Sequence, residues 1–169
     1  MIAEPLDGVL RSCGCGRPDF DAGCPECLYQ HGEGRRLAFT VYTEPVAMPR
    51  PRVAVRGGRP HGYVPTHAAQ AGWEIRQAAT SALGGAEPFS GPLAVTITVY
   101  VRQPKSIPKR DRLTAMPTRR PDLDNYCKLA LDGCSPLWRD DSQVVRLVAM
   151  KTYAVGDAPR WQITVEALR

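Results

Sequence analysis

The sequence predicts an α/β fold of the α+β type, in which a compact mixed β-sheet carries two main helices behind a small cysteine-rich N-terminal knuckle. Three observations predict it. Leu93, Val95, Ile97, Val99 and Val101 alternate with Ala94, Thr96, Thr98, Tyr100 and Arg102, the period of a strand with one buried face. Two stretches, 66–83 and 123–134, repeat apolar residues at helical spacing. Cys13-Gly-Cys15 and Cys24-Pro-Glu-Cys27 form two close pairs near the start. At 169 residues the chain suits one domain with a real core, residues 35–169, and an appendage, residues 1–34.

No apolar run approaches the length of a membrane span, and Met1 to Leu10 lacks the basic start and apolar centre of a secretory signal, so the expected location is the cytoplasm. The formal charge of +5 divides into −4 for residues 1–34 and +9 for residues 35–169. A cationic body is the expected footprint of a polyanionic partner, although a basic surface also serves simple solubility.

In chain order, the appendage comes first. Two cysteine pairs joined by a short loop with Gly and Pro can enclose one Zn²⁺ through Cys13, Cys15, Cys24 and Cys27, with His31 as a substitute ligand. Cys-x-Cys is tighter than the usual zinc spacing, and free thiols or disulfides remain open. Leu37, Phe39 and Val41 then alternate as a first strand. Pro45 to Pro65 holds Arg50, Arg52, Arg56 and Arg59 with Gly57-Gly58 and several prolines, which exclude an ordinary helix or central strand. It is expected to be an irregular loop, either a surface insertion or an arm that orders on phosphates.

Thr66 is the expected N-cap of the first main helix, with Ala69, Trp73, Ile75 or Arg76, Ala79 and Leu83 along it and Gly84-Gly85 ending it. Trp73 is read as a core anchor. The alternating strand at 93–101 follows. Residues 102–120 then carry Arg102, Lys105, Lys109, Arg110, Arg112, Arg119 and Arg120 against one acid, Asp111, interrupted by Pro104, Pro108 and Pro117. Such a stretch suits contact with phosphates or serves as a solvated linker.

The acidic groups lie beyond it. Pro121 suits a helix start, Asp122 and Asp124 suit its positive end, and Leu123, Tyr126 or Cys127, Ala130, Leu131 and Cys134 form its apolar stripe, with Gly133 as a stop. Cys127 and Cys134 lie on that stripe and read as core residues. Asp124, Lys128 and Asp132 stack on the other face, and Asp140-Asp141 lead into a strand from Val144 to Tyr153. Each Asp alone reads as a cap, an ion pair or a turn residue. Together they suit a hard divalent cation that keeps open positions for water and phosphate, with a lysine near the developing charge. Trp161 to Leu168 forms the last strand, expected to be the antiparallel neighbour of the one before it.

The string Asp122-Leu-Asp124-Asn, Lys128 four residues on, Leu131-Asp132, then Asp140-Asp141-Ser-Gln-Val144 resembles the RusA-type Holliday-junction resolvases of phages and prophages. The likeness also takes in Pro49-Arg50-Pro51-Arg52 and the closing strands; it spans about residues 36–168 and leaves residues 1–34 unaccounted for. It implies that Asp122, Asp124 and Asp141 bind Mg²⁺, or Mn²⁺ in its place, and that Lys128 is the catalytic lysine. Asp132 and Asp140 are left as supporting or structural groups. The implied protein is a homodimeric, metal-dependent endonuclease that cuts four-way DNA junctions in a bacterial host's cytoplasm. A less selective branched-DNA or flap nuclease, and a non-catalytic zinc-containing DNA-binding protein, are the rival readings.

Overall fold

The computed structural model describes residues 35–49, 52–56, 59–63 and 65–168, the two short segments by their backbone alone. The four cysteines of the expected knuckle, and His31, lie outside the described residues. In chain order the elements are β1 (Arg36–Val41), β2 (Arg52–Arg56), β3 (Arg59–Tyr63), α1 (Thr66–Leu83), β4 (Leu93–Arg102), α2 (Leu123–Gly133), β5 (Val144–Ala154) and β6 (Arg160–Ala167). This is the expected α+β class, with a mixed sheet and two main helices.

The main sheet has the order β1-β6-β4-β5, with β5 parallel to β4 and every other pairing antiparallel. β5 and β6 are therefore not neighbours, contrary to the sequence expectation, because β4 lies between them. The reason lies in β4, whose Leu93, Val95, Ile97 and Val99 are all buried and need flanking strands on both sides. The connection between Ala154 and Arg160 has to cross only two strand spacings, about 10 Å. Its length suits a hairpin and a skipped strand equally well.

One face of the sheet is covered. Trp161, Ile163 and Val165 on β6 lie beside Val99, Ile97 and Val95 on β4, and together they pack against Ala71, Ile75 and Ala79 of α1 and Tyr126, Leu129 and Ala130 of α2. Tyr126 meets Trp161 edge to face, with ring centroids 5.7 Å apart, a favoured aromatic geometry. Cys127 and Cys134 are buried free thiols of this core, as expected, and burial pushes the Cys134 thiol up to about 12.

Four local expectations change. Residues 52–56 and 59–63 are not irregular but pair as an antiparallel two-stranded sheet around Gly57-Gly58, a sequence suited to a two-residue hairpin connection. Pro65, not Thr66, precedes the first turn of α1, and its carbonyl accepts from Ala68 and Ala69 without any side-chain cap. Trp73 is 55% exposed. The buried stripe of α1 runs instead through Ala68, Ala71, Ile75 and Ala79, and at about 100° per residue position 73 falls on the far side of the helix from it.

Gly133 is the fourth. It is a helical residue, not a left-handed stop like Gly84 (φ 62°) at the end of α1. A Cβ at position 133 would come within 2.7 Å of Ile75 Cγ2 and 3.2 Å of the Gly72 carbonyl, so the glycine is required by the close approach of α1 and α2. Gly133→Ala is accordingly expected to cost about 1–3 kcal/mol by overpacking. Thermal or urea denaturation of the purified variant measures this, and an unchanged midpoint would mean that the helices separate without penalty.

Candidate active site

α2 lies along β5, and a groove of about 570 Å³ opens between them. The inward row of β5 is set by its register with β4: Leu147 lies beside Val95 and Ala149 beside Ile97, so both turn toward the helices. Leu123, Cys127 and Leu131 close the apolar floor from the α2 side. Above that floor the groove carries Asp124, Lys128 and Asp132 from α2 and Asp141 from the turn before β5. Three of the four candidate catalytic residues thus come together in one cleft. The fourth, Asp122, is the exposed residue preceding α2; its side chain makes no cap hydrogen bond and does not line the groove.

Asp132 is drawn in more closely than its sequence position suggests. Partial burial raises its carboxyl above the ordinary value, Lys128 pulls it back down, and Asp141 adds to the rise. Asp124 and Asp132 are eight residues apart, about 12 Å along a helix axis, and Asp141 stands toward the Asp132 end. Among the described residues no three His, Cys, Asp or Glu side chains converge closely enough to hold a metal ion. The donor chemistry nevertheless fits a hard cation, since the ionisable oxygens facing the groove are all carboxylates.

The turn that presents Asp141 is tightly fixed. Gln143 Oε1 accepts from the backbone N–H groups of Arg139 (2.9 Å) and Asp140 (3.1 Å), while its Nε2 donates to the carbonyls of Phe89 (3.2 Å) and Gly91 (3.0 Å). The Asp140 side chain accepts from the Ser142 N–H at 2.8 Å, completing a capping box with Gln143, and hydrogen bonding to Ser142, through its side chain first and then its N–H, lowers the Asp140 pKa. Asp140 is thereby occupied as a cap. Asp141 is left to face the groove, one of its oxygens accepting from the buried indole Nε1 of Trp138 at 2.8 Å. Trp138 and Gln143 were not singled out from sequence. The spacing Asp140-x-x-Gln143 was a usable signal for the cap, whereas nothing local marked Trp138 as a partner of Asp141.

The candidate DNA-binding cations divide. Arg102 forms a two-pronged contact with Glu44 Oε2 at 2.8 and 3.1 Å, and Arg110 lies 3.6 Å from Asp111. Arg112 is half-buried and braces its own loop, its Nε reaching the Ile107 carbonyl at 3.4 Å and its carbonyl accepting from Gln103 at 2.7 Å. Lys105, Lys109, Arg119 and Arg120 are exposed, and their side chains form no hydrogen bond or ion pair with other described residues. The stretch they occupy is ordered by local turns, including a 3₁₀ turn at Lys109–Asp111, and not a plain linker. The side chains of Arg50, Arg52, Arg56 and Arg59 lie outside the described residues.

The sequence profile of the family described as endodeoxyribonuclease RusA matches residues 43–166. The chain belongs to the RusA endodeoxyribonuclease family. The match contains both helices, β4, β5, all of β6 but its last residue and every residue of the groove, while β1 lies just ahead of it. A Bacillus subtilis (strain 168) protein, described only as the uncharacterized protein YqaN, is 33% identical over 140 residues, 76% of this chain and 94% of its own length. This RusA-family chain is thus a nuclease by family, and no helix among its described residues is long and apolar enough to cross a membrane.

Trp138→Phe keeps the aromatic volume and removes the indole N–H. It should lower DNA cleavage about 10- to 100-fold, as loss of a group that orients a ligand commonly does, with little change in thermal midpoint. Single-turnover cleavage beside a melting curve checks this; undiminished cleavage would show that the hydrogen bond does not aim Asp141.

Proposed function

We propose that this chain is a divalent-metal-dependent, structure-selective endodeoxyribonuclease that resolves four-way DNA junctions as a homodimer. The observation that carries the reading is the groove between α2 and β5, where Asp124, Lys128, Asp132 and Asp141 face one space in a chain of the RusA family. Asp124 and Asp141, with Asp122, would hold Mg²⁺ or Mn²⁺. An ion held there would supply Lewis acidity for phosphodiester hydrolysis. The protein does the rest. Trp138 and the capping box hold Asp141 in place, and Lys128 sets a positive charge beside the groove, where negative charge develops on a phosphoryl group or where an attacking water is oriented. Exposed Lys105, Lys109, Arg119 and Arg120 offset the repulsion that clustered carboxylates exert on the DNA backbone. The cysteine-rich segment 1–34 is assigned no part in the chemistry.

Cleavage of four-way junction, flap and linear duplex, each with Mg²⁺ or with EDTA, tests this. Junction-selective, EDTA-sensitive cleavage is expected; equal cutting of all three substrates would make the protein a general nuclease, and binding without cutting would make it a DNA-binding protein. Asp124→Asn should abolish cleavage and leave junction binding intact or tighter, because it removes a ligand and a negative charge with little change in volume. Asp122→Asn and Asp141→Asn should behave alike. Asp140→Asn should retain more activity, since its side chain serves the cap.

The homodimer follows from the task. Resolution requires two cuts in opposed strands, and the described residues of one chain contain a single such groove, so two copies related by a two-fold axis supply the pair. Exposed Val148 and Met150 on the edge strand β5, and Trp73 on α1, are apolar surface that a second copy can cover. Mixed dimers of wild type and Asp124→Asn should nick one strand and release few resolved duplexes. A monomer mass by light scattering, both free and on junction DNA, would remove the paired-cut mechanism.

A further inference from the structure

Lys151 lies on the same inward row of β5 as Leu147 and Ala149, beside buried Val99 of β4. That row is otherwise apolar along the groove, and the lysine stands at its far end from Asp141. Its ammonium reaches no carboxylate among the described residues. It donates instead to two backbone carbonyls, Pro121 at 2.8 Å and Arg119 at 3.0 Å. These carbonyls flank the residues just before α2, immediately ahead of Asp122 and Asp124.

That segment has little else to hold it. Arg119, Arg120, Pro121 and Asp122 are all exposed, Pro121 has no N–H to donate, and among the described residues no main-chain hydrogen bond outside the helices and strands involves residues 119–121. The Asp122 side chain makes no cap bond that would anchor the helix start. Two hydrogen bonds from a charged donor to neutral carbonyls therefore tie the segment before α2 to the strand that follows Asp141, while the helix itself is held by Leu123 on the core and by the Asn125 carbonyl, which accepts from the Met48 N–H at 2.9 Å. The two halves of the candidate metal site come from these two elements, separated in sequence by the whole of α2 and the turn after it.

We propose that Lys151 is a positioning residue, a clamp that holds the start of α2 against β5 so that Asp122 and Asp124 keep a fixed relation to Asp141. This rests on the metal-binding reading of those carboxylates. Lys151 itself touches no substrate; it acts through the backbone on which the ligands are mounted, as groups behind metal ligands commonly do, with losses of about 10- to 100-fold in metal affinity when they are removed. Arginine, which also donates from a charged group, can retain the clamp. Methionine, similar in length and apolar, cannot.

The test compares the full-length protein with Lys151→Met and Lys151→Arg, using Mn²⁺ as the probe. Calorimetric titration of metal-free protein should show Mn²⁺ affinity about 10- to 100-fold weaker in Lys151→Met and near the parent value in Lys151→Arg. The metal dependence of junction cleavage should shift equally, while the maximal rate at saturating metal recovers. Amide hydrogen exchange of a peptide covering residues 119–126 should accelerate at least tenfold in Lys151→Met and return toward the parent rate in Lys151→Arg. An unshifted Mn²⁺ midpoint with a reduced maximal rate would overturn the proposal and place Lys151 in the chemistry instead. Unchanged exchange and unchanged affinity would also overturn it. If Lys151→Met does not fold, the same measurements on Lys151→Leu, which likewise carries no donor, decide by the same criteria. A parent protein that binds no Mn²⁺ would sink the carboxylate reading, and hydrogen exchange would then still judge the clamp.

Discussion

The approach of α2 to α1 at Gly133 governs where the acidic groove lies. With Ile75 only 2.7 Å from the position of a Cβ at residue 133, the two helices meet backbone to side chain with no side chain to spare. That contact holds the end of α2 down, and the apolar residues Tyr126, Leu129 and Ala130 extend the contact along the helix into the core. The opposite face of α2, bearing Asp124, Lys128 and Asp132, is then left alongside β5. A bulkier residue at 133 would tilt or lift the helix, and because interiors are packed at crystal-like density the displacement would pass to the groove.

Around that fixed helix the two sides of the groove are supported in different ways. Asp141 stands on a turn secured by several hydrogen bonds: an amide with four partners, a carboxylate cap and an indole donor. Asp122 and Asp124 stand at a helix start whose preceding segment is exposed and is tied to β5 through the two bonds of Lys151. The rigid side is suited to presenting one carboxylate in a constant direction. On the other side the backbone is held by one lysine, while the side chains of Asp122 and Asp124 themselves stay exposed.

Charge is arranged with the same division. The raised carboxyl of Asp132 reports carboxylates gathered where burial and mutual repulsion disfavour ionisation, against the attraction of Lys128. Arg102 and Arg112 are already committed to partners within the protein. The cations with no ion-pair or hydrogen-bond partner among the described residues of that stretch, Lys105, Lys109, Arg119 and Arg120, lead into α2, so positive charge is carried up to the edge of the acidic groove by the chain itself.

The sequence by itself determined most of the elements and the family. The alternation of β4, the acidic face of α2 and the Asp140-Asp141 turn were legible because strand and helix periods are local properties of the chain, and the spaced acidic string pointed to the nuclease family. It also placed Cys127 and Cys134 in the core. Tertiary structure alone decided the rest, because each remaining question concerned residues distant in sequence. Whether β6 lies beside β5 or beyond β4 depended on which strand most needed burial on both sides. Whether Trp73 or Ile75 faced inward depended on how closely α2 approached, and Gly133 proved to be a packing residue for the same reason. Lys151 showed no local sign of a role, since its hydrogen-bond partners lie thirty and thirty-two residues before it and meet it only when α2 is laid against β5.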